Sequence, residues 1–176
     1  ALTRPPVLLD GLDAAGVAAR ASWLLADRGP DRPAGEELVR RVHAQTAGVP
    51  ALVDRLLVAL AEQGWSGRGE PPAGLLVQLG YSVQAQGAEV RALLLARALG
   101  AALEPEVLIP LLGLPGGDGP GRLDDLLEEA RAAGLLTAEG QPVPLVSAAV
   151  LARAPHAAQL EVRRALAEIE LHRGGS

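Results

Sequence analysis

Glycine and proline interrupt this chain at short intervals, and between the interruptions leucine and valine recur three or four residues apart. That combination restricts the chain to short amphipathic helices, because a strand needs an alternation of period two to bury one face. Val17, Ala21, Leu24 and Leu25 follow Asp13, a good N-cap, in a helix expected to reach about Asp27. Leu38, Val39, Val42 and Thr46 line a second helix from about Pro33 to Ala47, and Gly48 stops it. Pro50 then opens a third, where its missing N–H costs nothing, and Leu52, Val53, Leu56, Leu57 and Leu60 run along that helix to Gly64. The chain has no Phe, Met or Cys, and its aromatic residues are Trp23, Trp65 and Tyr81. The core must therefore be built from Leu, Val and Ala, and the expected fold class is mainly α.

The 176 residues suffice for one domain or two small ones. Gly29 to Pro33 reads as a turn and Trp65 to Gly74 as a connection, each rich in Gly and Pro. Leu75, Leu76 and Leu79 form a short apolar strip that reads either as a docking surface or, in preference, as core, and a boundary near residue 82 divides the chain into 1–82 and 83–176. The second half begins with a helix from about Gln84 to Leu99, carrying Val90, Leu93, Leu94 and the stem of Arg97 on one face. Pro105 opens a brief helix that Pro110 should kink. A glycine-rich loop, Gly113 to Gly121, precedes a helix through Leu123, Leu126, Leu127 and Ala130. Leu135–Thr137 and Val143–Val146 then read as a short β-hairpin turning at Gly140, with Pro142 and Pro144 keeping the second strand at an edge. Two helices, about 147–153 and 155–171, complete the chain. Helix, helix, helix, hairpin is the order of a winged helix-turn-helix.

Composition removes several functions. All sixteen basic residues are Arg, so the lysine of a Gly-x-x-x-x-Gly-Lys-Ser/Thr phosphate loop is missing. The expectation is that this chain is not itself an enzyme and holds no cofactor of its own. Without Cys there is no thiolate nucleophile and no disulfide, which fits a cytoplasmic location. No apolar run reaches the length of a membrane span, and the start does not read as a signal peptide. His43, His156 and His172 lack a second ligand at metal-site spacing, so no metal site is expected. Ser66, Ser82 and Ser147 lack the Gly-x-Ser-x-Gly setting of a hydrolase nucleophile, and Glu36/Glu37 and Asp124/Asp125 are explained by helix starts.

Three segments carry a resemblance. Val42-His43-Ala44-Gln45-Thr46-Ala47-Gly48-Val49-Pro50-Ala51-Leu52-Val53 keeps a Thr, a Gly and a Pro at characteristic places. Ala92 to Leu112, followed by Leu123 to Gly140, has the rhythm of two leucine-rich helices closing on Ala-Gly-Leu-Leu. Val143-Pro144-Leu145-Val146-Ser147-Ala148-Ala149-Val150 and Val162 to Glu168 complete the set. In order and spacing these segments resemble the helical lid and winged-helix segment of STAND-class signalling ATPases, in particular the large LuxR/MalT-like transcriptional regulators of actinobacteria.

The resemblance implies a helical lid-like unit at 1–82 and a winged-helix-like unit at 83–176, placed between an upstream P-loop ATPase domain and downstream sensor and DNA-binding domains of one parent protein. It implies that Gly48 and Pro50 lie against nucleotide, with ATP or ADP held by the parent. A helix stop and a helix start explain the same two residues without a ligand. Val143 and Ser147 stand where the family usually has His and Arg, and Val143 can neither donate a hydrogen bond nor carry charge.

A DNA-reading helix presents Arg, Lys, Asn or Gln to the groove. The helix in that position, Arg122 to Ala133, sets Asp124, Asp125, Glu128 and Glu129 against Arg122 and Arg131, and the chain carries a net charge of −5. Direct DNA binding is thus disfavoured, and its remaining route is a surface containing Arg153, Arg163 and Arg164. The expected function is a regulatory module that acts by domain docking.

Overall fold

A computed structural model describes residues 11–25, 35–63 and 70–174. Within them α1 (Ala14–Leu25) begins as its sequence dictates, with the Asp13 carboxylate accepting the Gly16 amide at 2.7 Å. α2 (Glu36–Thr46) and α3 (Pro50–Gln63) follow, separated by only three residues. α1, α2 and α3 pack on one another through Val17, Val42, Leu56 and Leu57, all fully buried. The Arg20–Asp54 ion pair, at 2.5 Å, ties α1 to α3 at the rim. The expected turn at Gly29–Pro33, Trp65 and the end of the first expected helix lie outside the described residues.

α4 (Ala73–Gln84) buries Leu75, Leu79 and Val83, so the Leu75/Leu79 strip is core. The boundary expected near residue 82 falls inside this helix. α5 (Ala88–Ala98), α6 (Pro105–Leu111) and α7 (Gly119–Ala132) come next, with α5 and α6 both packed against α7. Pro110 sits in the last turn of α6, which ends one residue later. The loop after it is shorter than its glycine content suggests. Leu114 is buried, its amide bonded to the Ile109 carbonyl at 3.0 Å, and α7 starts at Gly119. On α7, Leu123, Leu126, Leu127 and Ala130 are buried while Asp124, Asp125, Glu128 and Glu129 are exposed, an apolar stripe and an acidic face on one helix.

The β-hairpin reduces to less than was expected. Leu136 and Pro142 form a single antiparallel bridge, and the expected second strand, Val143–Val146, is instead the start of α8 (Pro144–Arg153). The reason is local. Pro142 and Pro144 have no N–H to give a ladder, whereas a proline at the first helical position forfeits nothing. α9 (His156–Gly174) ends the described chain and packs against α5 and α6.

α8 is the central strut. It packs against α4 and α5 and also reaches α2, so the core runs without interruption from Val17 and Val42 through Leu79 to Leu93, Leu126 and Leu145. Each fully buried leucine contributes about 1.5–3 kcal/mol of transfer free energy, and with so few aromatic residues many such side chains are needed. Among the described residues no helix is long and apolar enough to cross a membrane.

Candidate functional site

The α2–α3 junction is built on Thr46. Its side chain is fully buried, donates to the Val42 carbonyl at 2.8 Å and accepts the Gly48 amide at 3.3 Å. Both polar capacities of the hydroxyl are used inside the core, where an unmet one would be costly. Ala47 and Gly48 then take left-handed backbone conformations, with φ of 48° and 74°. Ala47 is thus the helix C-cap, and Gly48 is the residue that lets another segment approach. A Cβ at Gly48 would lie 2.2 Å from the Leu12 carbonyl oxygen, and the Leu12 amide donates to the Gly48 carbonyl at 2.7 Å. What occupies the space at Gly48 is therefore the chain's own backbone. Val49 closes the junction by accepting the Leu52 and Val53 amides at the start of α3.

α7 terminates in a Schellman motif, with the Leu135 amide bonded to the Ala130 carbonyl at 3.0 Å and Gly134 in the left-handed region at φ 68°. The chain then makes a tight turn. Thr137 donates its amide to the Gln141 carbonyl at 3.0 Å, and the Thr137 hydroxyl accepts the Gln141 amide at 3.1 Å. Arg97, only 6% exposed, reaches this turn from α5. Its guanidinium donates to the Gly140 carbonyl at 3.2 Å, to the Gln141 side-chain oxygen at 3.0 Å, and to the Ala101 carbonyl. Burial lowers the Arg97 pKa from its ordinary value, opposed by the charge of Glu104.

These two constructions face each other across a cleft of about 580 Å³, a volume typical of small-molecule sites. Val49 and Pro50 contribute one wall, together with His43 from α2, and Leu12 and Asp13 border it. The opposite wall is Arg131 at the end of α7 with Thr137 and Glu139 of the turn. The Glu139 carboxyl is held below the usual carboxylate range by its own backbone amide, then by the Thr137 hydroxyl, with Arg131 adding a smaller push in the same direction. An ionised carboxylate and a guanidinium therefore stand at the same rim, opposite an apolar platform.

Of the two residues implicated by resemblance, Pro50 lines this cleft and Gly48 lies behind it, covered by Leu12. Val143 is fully buried at the start of α8, and Ser147 donates its amide to the Val143 carbonyl, so neither position borders the cleft. Arg131, Thr137 and Glu139 had no signal in the sequence, because their relation to Pro50 is made by tertiary packing. Arg97 did have one, since it continues the helical spacing of Val90, Leu93 and Leu94 on a buried face. Among the described residues no group of three or more His, Asp and Glu could hold a metal ion.

No protein-family model, curated protein or solved structure matches this chain.

Proposed function

We propose that the chain is a non-catalytic regulatory module of a STAND-type ATPase transcriptional regulator of the LuxR/MalT-like kind, acting in the cytoplasm. In this reading residues 1–82 act as a helical lid and 83–176 as a winged-helix-like unit. The parent's P-loop ATPase domain holds ATP or ADP, and the nucleotide state changes how this module docks. The docking state then controls the sensor and DNA-binding domains of the same parent. A switch of this kind requires contacts that differ between two states.

The observation that carries the reading is the cleft. The α2–α3 junction, which bears the family-like Thr46, Gly48 and Pro50, meets the end of α7 and the 137–141 turn across a space of ligand size. A nucleotide resting on Pro50 would touch both units at once, so its presence or departure could change their relation.

The main competing reading, direct DNA contact, finds little support in the charge distribution. All four α7 acids are exposed. Arg122 is paired with Glu89, Arg164 with Glu168, and Arg153 stacks 4.5 Å over the Tyr81 ring. The test is a fluorescence-anisotropy titration with mixed-sequence duplex DNA, at about 50 mM and then about 200 mM salt. The docking reading predicts no binding at about 100 µM even in the lower salt, the weak end of ordinary non-specific affinity. Micromolar binding that collapses on adding salt would establish a DNA-binding surface and remove the docking reading's main advantage. Arg153, Arg163 and Arg164 would then be the residues to replace.

A further inference from the structure

Arg20, Arg40, Arg122 and Arg164 each make an ion pair with a carboxylate. Arg91 and Arg153 make none among the described residues. Both line one pocket of about 180 Å³ between α4, α5 and α8, and no Asp or Glu lines it with them. This pocket shares no lining residue with the cleft at the α2–α3 junction. Backbone and ring, rather than an acid, hold the two guanidinium groups. Arg91 Nη1 donates to the Gln86 carbonyl at 2.8 Å and to the Gln84 carbonyl at 3.2 Å, at the end of α4. Arg153 reaches across α4 from α8. Its Cζ stands 4.5 Å over the centre of the Tyr81 ring, and a Cβ at Gly80 would fall 2.4 Å from its Cδ. Glycine inside a helix is costly relative to alanine, and here the Arg153 side chain takes the space a methyl group would fill. Stacking uses the face of a guanidinium and leaves its N–H edge open.

Val83, Leu95, Ala149 and Val150 supply apolar wall to the same pocket. Its size restricts the ligand, because an apolar cavity of roughly 150 Å³ takes benzene whereas drug-sized ligands need about 300 Å³ or more. Two like charges beside low-dielectric walls, with no carboxylate between them, favour a small anion. A planar carboxylate matches a guanidinium edge, and an inorganic anion leaves the apolar wall unused. We propose that this pocket binds a small monocarboxylate. Its oxygens meet Arg153 and Arg91, and a short branched or single-ring apolar body rests on Val83, Leu95 and Val150. The bound acid joins α5 to α8, the central strut of the fold, so it stabilises their packing by mass action. The site needs no nucleotide and stands whether or not the cleft at Pro50 holds one.

The test is an NMR titration of the chain with 3-methylbutanoate and with benzoate, with 3-methylbutanamide and inorganic phosphate as controls. The signals followed are the methyl groups of Val83, Leu95 and Val150 and the Nε–H groups of Arg91 and Arg153. At least one of the acids should shift the methyl and guanidinium signals together, and neither control should match it. Arg153→Gln should weaken acid binding about three- to tenfold, between the loss of a surface ion pair and that of a charged hydrogen bond. Gly80→Ala should also weaken it, by displacing Arg153, while melting no lower than the natural protein, since alanine is the better helix former. A purely packing role for Arg153 does not separate binding from stability in this way. Unchanged affinity in a folded Arg153→Gln protein overturns the proposal, and if that variant does not fold, Gly80→Ala decides in the same way. Binding of the amide as tight as that of the acid removes the role of the arginines and overturns it. Phosphate binding as tight as that of the acid, without methyl shifts, overturns the ligand class. No response to either acid at about 10 mM, weaker than ordinary specific binding, overturns the site itself.

Discussion

The Arg97 guanidinium on α5 donates to the Gly140 carbonyl at 3.2 Å, fixing a turn 43 residues further along the chain. The turn closes on itself through the Leu136–Pro142 bridge and the Thr137–Gln141 hydrogen bonds, and this buried cation anchors it to α5. The cleft wall is therefore built on a side chain outside the cleft. Replacing Arg97 with Leu keeps the apolar stem but leaves the Ala101 and Gly140 carbonyls without their donor. The expected cost is about 2–4 kcal/mol, several times a neutral surface change. Urea denaturation measures it, and a loss under about 0.5 kcal/mol would show that water replaces the guanidinium freely.

Gly48→Ala tests the junction. The substitution places a Cβ 2.2 Å from the Leu12 carbonyl oxygen at a residue whose φ is +74°. Left-handed strain alone costs about 1–3 kcal/mol, and the clash adds to it. The variant should lose at least about 2 kcal/mol, with Leu12 amide protection against hydrogen exchange falling more than that of Leu93. Equal loss of protection at both sites would mean that the 11–12 segment does not depend on this approach.

Glu139 predicts an acid dependence of known sign. Its native carboxyl pKa lies below the ordinary value, chiefly through its own amide and the Thr137 hydroxyl. Its contribution is therefore complete above the ordinary glutamate pKa of about 4.3 and is lost as pH falls through the lower native value. Thermal midpoints of the natural protein and of Glu139→Gln should differ at about pH 6 and converge towards about pH 3. A gap that widens on acidification would reverse the assignment.

Leu127 tests the face of α7. It is buried beside exposed Glu128 and Glu129. Leu127→Asp buries an unpaired carboxylate at a cost of several kcal/mol and should unfold the second half of the chain, whereas Glu128→Ala should stay within about 0.5 kcal/mol. A folded, soluble Leu127→Asp protein would contradict the helix-face assignment. Circular dichroism and urea melts report both variants.

Helix positions were legible wherever a cap or stop is encoded locally. Asp13, Pro50 and Pro105 each mark an end that the structure uses. Val143–Val146 was misread as a strand because β-branched residues beside prolines fit an edge strand as well as a helix start. The missing N–H groups of Pro142 and Pro144 favour the helix start, and α8 then packs against α4 and α5. The site was half legible. Pro50 could be singled out, but Arg131 looked like one more charge on an acidic helix, and no local pattern relates it to Pro50. The same limit applied at Gly48, which reads as a helix stop in the sequence while its contact with Leu12 is made only by the fold.

The most direct test of the central claim is docking itself. The account places a P-loop ATPase domain beside this chain in the parent protein. That domain, loaded with ADP or with a non-hydrolysable ATP analogue, would be titrated with this chain by calorimetry. The account predicts binding whose affinity differs between the two nucleotides by about 5- to 150-fold, the usual range of coupling between sites, with Pro50 and Arg131 substitutions reducing the difference. Equal affinity for both loaded forms, or no association, would contradict it.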